Sequence, residues 1–241
     1  MSFLKSDVVT YSINMAKSYQ RQAQAFRIGG ISLILIGIIL LAILPLLAIL
    51  TPILLGSDIS SVLKAIHSLS NFNILFFGLL GINDILYIIS FASLYLLFRE
   101  RRGYLALLSL SLIIAAVAID LATDIPLHFT ILSIANSYLS ANQLSQSAYL
   151  AAANLALSLG NIGGMLAQLP LSLAEILIAY VMLNSKEFGR FTGRVGIIAG
   201  LLTMPIFLLF STIGSLIYFL GFLFNVVWSL SAGVKLYRCR V

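Results

Sequence analysis

From Val195 to Val234 the chain runs without a single Asp, Glu, Lys or Arg. As one α-helix, at about 1.5 Å per residue, that stretch would measure about 60 Å, twice the ~30 Å hydrocarbon thickness of a bilayer. Similar charge-free runs recur along the rest of the sequence. Apolar residues make up 61% of the 241 and charged residues only 9%, against about 25% charged in an ordinary soluble domain. A soluble globule of this size could not bury so many apolar side chains and cover itself with so few charges. The sequence therefore predicts an all-α fold, a polytopic transmembrane helical bundle whose backbone polar groups are satisfied within helices.

Six spans follow from the polar interruptions. Residues 1–26 read as a cytoplasmic N-terminal segment with a helix around 13–24, and residues 27–236 as one transmembrane helical domain. The first span, about 28–56, is too long for the h-region of a signal peptide, about 7–15 residues, and is expected to be retained, bent at Pro45 and ending near Pro52. The second, 72–98, is closed by Arg99, Glu100, Arg101 and Arg102. The third is 104–124 and the fourth 162–184. The long final run divides at a turn over Ser211–Gly214 into spans 195–211 and 214–234, leaving 237–241 as a cytoplasmic tail. Residues 125–161 carry no charge beyond His128 but are rich in Ser, Asn and Gln. They read as an outer helical segment lying over the far face, with a further hairpin, giving eight spans, as the alternative. No hydrophilic segment is long enough to hold a soluble core.

Charge placement orients this bundle. Fourteen Lys and Arg oppose eight acids. All but Lys64 fall into four clusters: one before the first span, Arg99 to Arg102, Lys186 to Arg194, and Lys235 to Arg240. Six spans put all four clusters on one side, which the positive-inside rule assigns to the cytoplasm of a plasma membrane, with both termini there. The expected partner of this basic charge is the lipid bilayer, not nucleic acid, because no contiguous basic face with stacking aromatics exists. Membrane-protein partners or a homo-oligomer fit the same reading. Trp228 and Tyr237 read as interfacial anchors. Cys239 stands alone, so it forms no internal disulfide, and it reads as an inert thiol.

Ionisable groups inside hydrocarbon are costly, which makes Asp84, Glu175 and Asp120 the proton or cation candidates. At about 1.5 Å per residue they lie about 21, 14 and 24 Å from the cytoplasmic ends of their spans. No span contains a Lys or Arg to offset them. Each must be protonated, cation-bound or hydrogen-bonded to neighbours such as Asn83, Gln168 or Tyr180. The competing reading is interhelical glue. Asp120, Asp124 and His128 repeat at a spacing of four, which suits a weak metal site on one helical face, although Pro126 interrupts that helix and a helix end at the interface has the same appearance. Gly196 and Gly200 fit the small-xxx-small pattern of close helix packing, and Gly78 with Gly81 could serve similarly. Pro170 frees the carbonyl of Leu166 beside Glu175.

Zinc-protease, serine-elbow and phosphate-loop motifs are absent, so no catalytic residue, no enzymatic activity and no cofactor is expected. The start of the first span, Phe26-Arg-Ile-Gly-Gly30, together with Asp84, Leu94-Tyr-Leu-Leu-Phe-Arg99, the Leu-Ala-Leu-Leu of 105–108, Leu183-Asn-Ser-Lys186 and Gly196-Ile-Ile-Ala-Gly200, resembles an uncharacterised family of small prokaryotic six-helix integral membrane proteins. The family often has a proline before the arginine where this chain has Gly189-Arg190. The resemblance spans roughly 26–205 and implies six spans and no established activity. The expected role is a structural or accessory component of a membrane complex. The alternative is a small proton- or cation-coupled transporter or pore that uses the intramembrane carboxylates.

Overall fold

A computed structural model describes residues 2–54, 58–206 and 211–239. Among them the fold is all-helical, without strands. Four stretches are long and apolar enough to cross a membrane: Gln20–Leu46, Ser70–Ser140, Gln143–Leu183 and Ile213–Arg238.

Helix α1 (Ser2–Leu54) is continuous. Neither the expected boundary at 26/27 nor Pro45 ends it, since a chain that leaves hydrocarbon into a polar headgroup layer can simply stay helical. Helix α2 (Ile59–Ser68) starts at Asp58, whose carboxylate accepts from the amides of Ser60 and Ser61, each at 3.2 Å, and from both hydroxyls. Those donors, the Ser61 hydroxyl foremost, hold the exposed Asp58 carboxyl down at about 2. The cap sets where this short amphipathic helix begins.

Helix α3 (Ser70–Ala122) contains one non-helical residue, Arg102, at φ −145° and ψ 45°. The chain reverses there. In a straight helix Asp84 and Asp120 would lie about 54 Å apart at ~1.5 Å per residue, yet their carboxyls come within hydrogen-bonding reach of each other. The two limbs of α3 therefore form a hairpin whose tip is the Arg99–Arg102 cluster. Its second limb stops at Thr123, φ −125° and ψ −70°, and helix α4 (Asp124–Ser140) continues from there.

Helix α5 (Gln143–Leu183) runs antiparallel to both. Ser109 Oγ donates to Ala174 O at 2.7 Å, Gly164 lies against Asp124, and Gly160 lies against His128. As the contacts move towards the N-terminus of α5 they move steadily up α3 and α4. Hence α4 carries on in the direction of the limb before it, and no reversal occurs at Asp124–Ile125. Eight spans need that reversal. Helix α5 is one helix of 41 residues that passes without a break through Pro170 and through 161/162, where the fourth span was expected to begin. Residues 125–161 thus extend the bundle rather than lie across its end.

That extension has a core of its own. Val62, Leu63 and Ile66 of α2 pack with Ile131 and Ala135 of α4 and with Ala153 and Leu157 of α5. Two of its three helices are continuations of long apolar ones, and only α2 is separate.

Helix α6 (Gly189–Thr203), with 15 residues, is about 22 Å long at ~1.5 Å per residue, shorter than the expected 195–211 span. Helix α7 (Thr212–Arg238) is capped by Ser211, which accepts from the amide of Gly214 at 3.0 Å. The expected turn at Ser211–Gly214 therefore begins one residue before this helix, and 207–210 lie outside the described residues. Helices α1 and α7 touch backbone to backbone. A Cβ on Gly30 would stand 2.5 Å from Tyr237 N, and one on Gly233 would stand 2.8 Å from Gly30 O.

The main core joins Phe26, Phe91, Phe98, Ile178, Phe188 and Trp228. Trp228 is fully buried, tilted against Phe91 and seated on Gly196, so it is a core residue and not an interfacial anchor. The helix turns this ring inward towards α6, whereas Tyr237 remains 46% exposed. Gly200 lies against Ile176 and the carbonyl of Ser172. Gly78 has no atom within 4 Å of where its Cβ would be, and Gly81 has only Ile125, so this pair makes no close crossing.

The basic clusters meet at one end. Arg101 pairs with Glu187 at 2.6 Å, and Lys235 donates to Phe188 O and, at 2.7 Å, to Thr192 Oγ1. Burial alone would raise the Glu187 carboxyl, but its own amide and Arg101 together hold it below the usual range. Burial pushes the Cys239 thiol up, so little thiolate forms there at neutral pH.

Candidate functional site

The hairpin of α3 places Asp84 on one limb and Asp120 on the other, and the first residue of α4 adds Asp124. All three acids line one cavity of about 200 Å³. None of the described residues that line it is basic. The close approach of α5 depends on Gly163 and Gly164. A Cβ on Gly163 would stand 2.1 Å from Thr123 Oγ1, and one on Gly164 would stand 3.3 Å from the Asp124 carboxyl carbon. Larger residues would push α5 away and open the acid cluster to its surroundings.

Asp84 is 7% exposed and Asn83 5%. Both line the cavity, and neither Asp84 Oδ2 nor Asn83 Oδ1 finds a donor among the described residues. Buried oxygens without donors are costly, by about 1–3 kcal/mol in protein mutational data. Two carboxyls at hydrogen-bonding distance can stay together only by sharing a proton or a cation, because two bare negative charges there repel strongly out of water. One shared proton is the least that this requires.

Glu175 is fully buried on α5, just outside the cavity lining. Its Oε1 accepts from Tyr87 Oη at 3.2 Å and from Asn225 Nδ2 at 2.5 Å. Asn225 Oδ1 accepts from Ser229 Oγ at 3.1 Å and lies 3.2 Å from Tyr87 Oη. The single Tyr87 hydroxyl hydrogen therefore has two competing acceptors. Glu175 Oε2 has no donor among the described residues. Tyr87 and Asn225 also line the cavity, so they form the wall between the Asp pair and Glu175.

Elsewhere in the lining, Gln168 Nε2 donates to Ser172 Oγ at 3.0 Å, and Ser172 Oγ lies 3.0 Å from Thr203 Oγ1. Tyr180, named from sequence as a partner for the acids, is elsewhere: it is 46% exposed and stacks under Arg102 at 5.3 Å. Tyr87 and Asn225, which do hold Glu175, were missed. Both left a signal. Tyr87 follows Asp84 by three residues, one turn along the same helical face, and Asn225 is an isolated amide in an apolar run.

The weak metal constellation does not assemble. Asp124 and His128 stay paired, Oδ1 to Nδ1 at 2.9 Å, while Asp120 faces Asp84. The helix breaks at Thr123, between Asp120 and Asp124, and Pro126 is harmless in the first turn of α4. His128 Nδ1 also lies 2.8 Å from Asp124 O, and its ring stacks on Phe77 with centroids 4.0 Å apart. Among the described residues no group of three His, Cys, Asp or Glu is arranged to hold a metal ion. No protein family, curated protein or solved structure matches this chain.

Proposed function

We propose that this chain is a multi-pass membrane protein that moves protons or small cations through an acidic site within its bundle. The observation that carries this reading is the Asp84–Asp120 pair, facing one cavity with no basic residue among the described residues of its lining. Six crossings accommodate it: 20–46, the two limbs of α3, the C-terminal half of α5, α6, and α7. The basic clusters then face the cytoplasm of the plasma membrane with both termini, and Asp58, α2 and α4 lie outside. Asp120 and Asp124 would receive the cation from the outer side. Glu175 would take part behind the Tyr87–Asn225 wall.

A second reading rests on Glu175 alone. Its Oε1 is held by residues of α3 and α7, as a carboxyl serving as interhelical glue would be. That suits an accessory component of a larger membrane complex.

Reconstituted vesicles separate the two readings. Under the transport reading, wild-type protein dissipates a proton or sodium gradient, and Asp84→Asn abolishes the flux while the protein still inserts and elutes as a folded species. A wild type without flux under either gradient contradicts transport and leaves the accessory role.

A further inference from the structure

We propose that the cavity beside Asp84 binds a small organic ammonium ion, with the acids of α3 around the charged nitrogen and the apolar side of the cavity around its carbon chain. The inference rests on the acidic site described above and specifies what occupies it. Size is the first argument. At about 30 Å³ per water, a 200 Å³ cavity has room for about six, far more than a dehydrated inorganic cation needs. The ligand set is the second. No three His, Cys, Asp or Glu among the described residues are arranged for a metal ion, so the acids are not spaced to close around a bare ion.

The lining also joins acids to apolar and aromatic side chains. Helix α3 contributes Asn83, Asp84 and Asp120 together with Leu80 and Tyr87, and α1 and α7 contribute Leu40, Tyr218 and Phe222 beside Asn225. An ammonium group carries three hydrogens and no acceptor. It would satisfy the two oxygens that find no donor among the described residues, Asn83 Oδ1 and Asp84 Oδ2. Its charge would also hold Asp84 and Asp120 together. Aromatic rings beside a cation add electrostatic attraction through their faces, and Leu40 and Phe222 supply the surface that a short alkyl chain buries. An inorganic cation has no use for that second surface.

The test uses the full-length protein in detergent micelles and isothermal titration with n-butylammonium, n-butanol, sodium and tetrabutylammonium. Saturable binding of n-butylammonium is expected, with none of n-butanol, which lacks the charge. None is expected of tetrabutylammonium, which is too bulky and has no N–H. Asp84→Asn should weaken n-butylammonium at least tenfold. The wild-type series stands even where that variant fails to fold. The proposal is overturned when wild-type protein ignores n-butylammonium, binds n-butanol equally well, or when a folded Asp84→Asn variant binds unchanged. Flux of protons or sodium in a protein that ignores n-butylammonium overturns this inference and leaves the acidic transport site standing. Loss of both overturns the two together.

Discussion

Asp84 and Asp120 stand equally far along the chain from Arg102, and the reversal of α3 at that residue brings their carboxyls face to face. One non-helical residue thus converts two acids on one long helix into a pair. Position along each limb, set only by residue count, fixes the depth at which they meet.

The hydroxyl of Tyr87 should be structural as well as positional. Tyr87→Phe removes the donor that reaches Glu175 Oε1 at 3.2 Å and leaves only Asn225 on that oxygen. Loss of one partner from a buried polar group costs about 1–3 kcal/mol. Denaturant titration in micelles should show a destabilisation of that size. A Tyr87→Phe protein as stable as wild type would mean that the hydroxyl does not hold the network.

Helix crossing predicts a contrast between two glycines. Gly30→Ala drives a methyl to within 2.5 Å of the Tyr237 backbone, which cannot step aside as a side chain could. Overpacking of this kind costs about 1–3 kcal/mol. Gly78→Ala meets nothing within 4 Å, and alanine's better helix propensity makes it neutral or stabilising by up to about 1 kcal/mol. Thermal unfolding of the two variants should move in opposite directions or differ clearly. Equal shifts would rule out the α1–α7 contact at Gly30.

Much of this was legible from charge spacing. The long apolar runs announced an all-helical chain, and Arg99 to Arg102 marked a helix boundary that became the hairpin tip. Asp84, Asp120 and Glu175 stood out because they lacked cations nearby. Their grouping was not legible: pairing across α3 depends on the reversal angle, and the wall of Tyr87 and Asn225 depends on how α3, α5 and α7 pack. Trp228 misled because composition cannot tell which face of α7 turns inward. The span edge expected at 161/162 leaves no mark on α5, since a helix need not break where a span begins.

Acid below about pH 4 should loosen the cap of α2. The capped Asp58 carboxyl titrates at about 2 instead of its ordinary 3.8. Because the folded value is the lower one, the cap's contribution is fully present above about 4 and disappears as pH falls through about 2. A carboxyl NMR titration should find the Asp58 midpoint near 2, and Asp58→Ala should fray α2 already at neutral pH. A midpoint near 3.8 would mean that the cap does not form.

Orientation can be read by single-cysteine labelling after Cys239 is replaced. Cysteines at Arg101 and Lys186 should react only from the cytoplasmic side, and cysteines at Lys64 and Ser145 only from outside. The first pair lies at the end where Arg101 meets Glu187, and Lys64 belongs to α2 at the other. Outside labelling at 101 or 186 would reverse the orientation. Cytoplasmic labelling at 145 would restore the eight-span topology.

Transport requires Asp84 and Asp120 to act as one site, and gradient-driven flux through vesicles measures that directly. Wild type, Asp84→Asn, Asp120→Asn and the double variant are compared at equal amounts of folded protein. One shared site predicts that either single change removes nearly all flux and that the double variant is no worse than the more impaired single. Independent losses that multiply in the double variant, or wild-type flux in a folded Asp84→Asn protein, would contradict it.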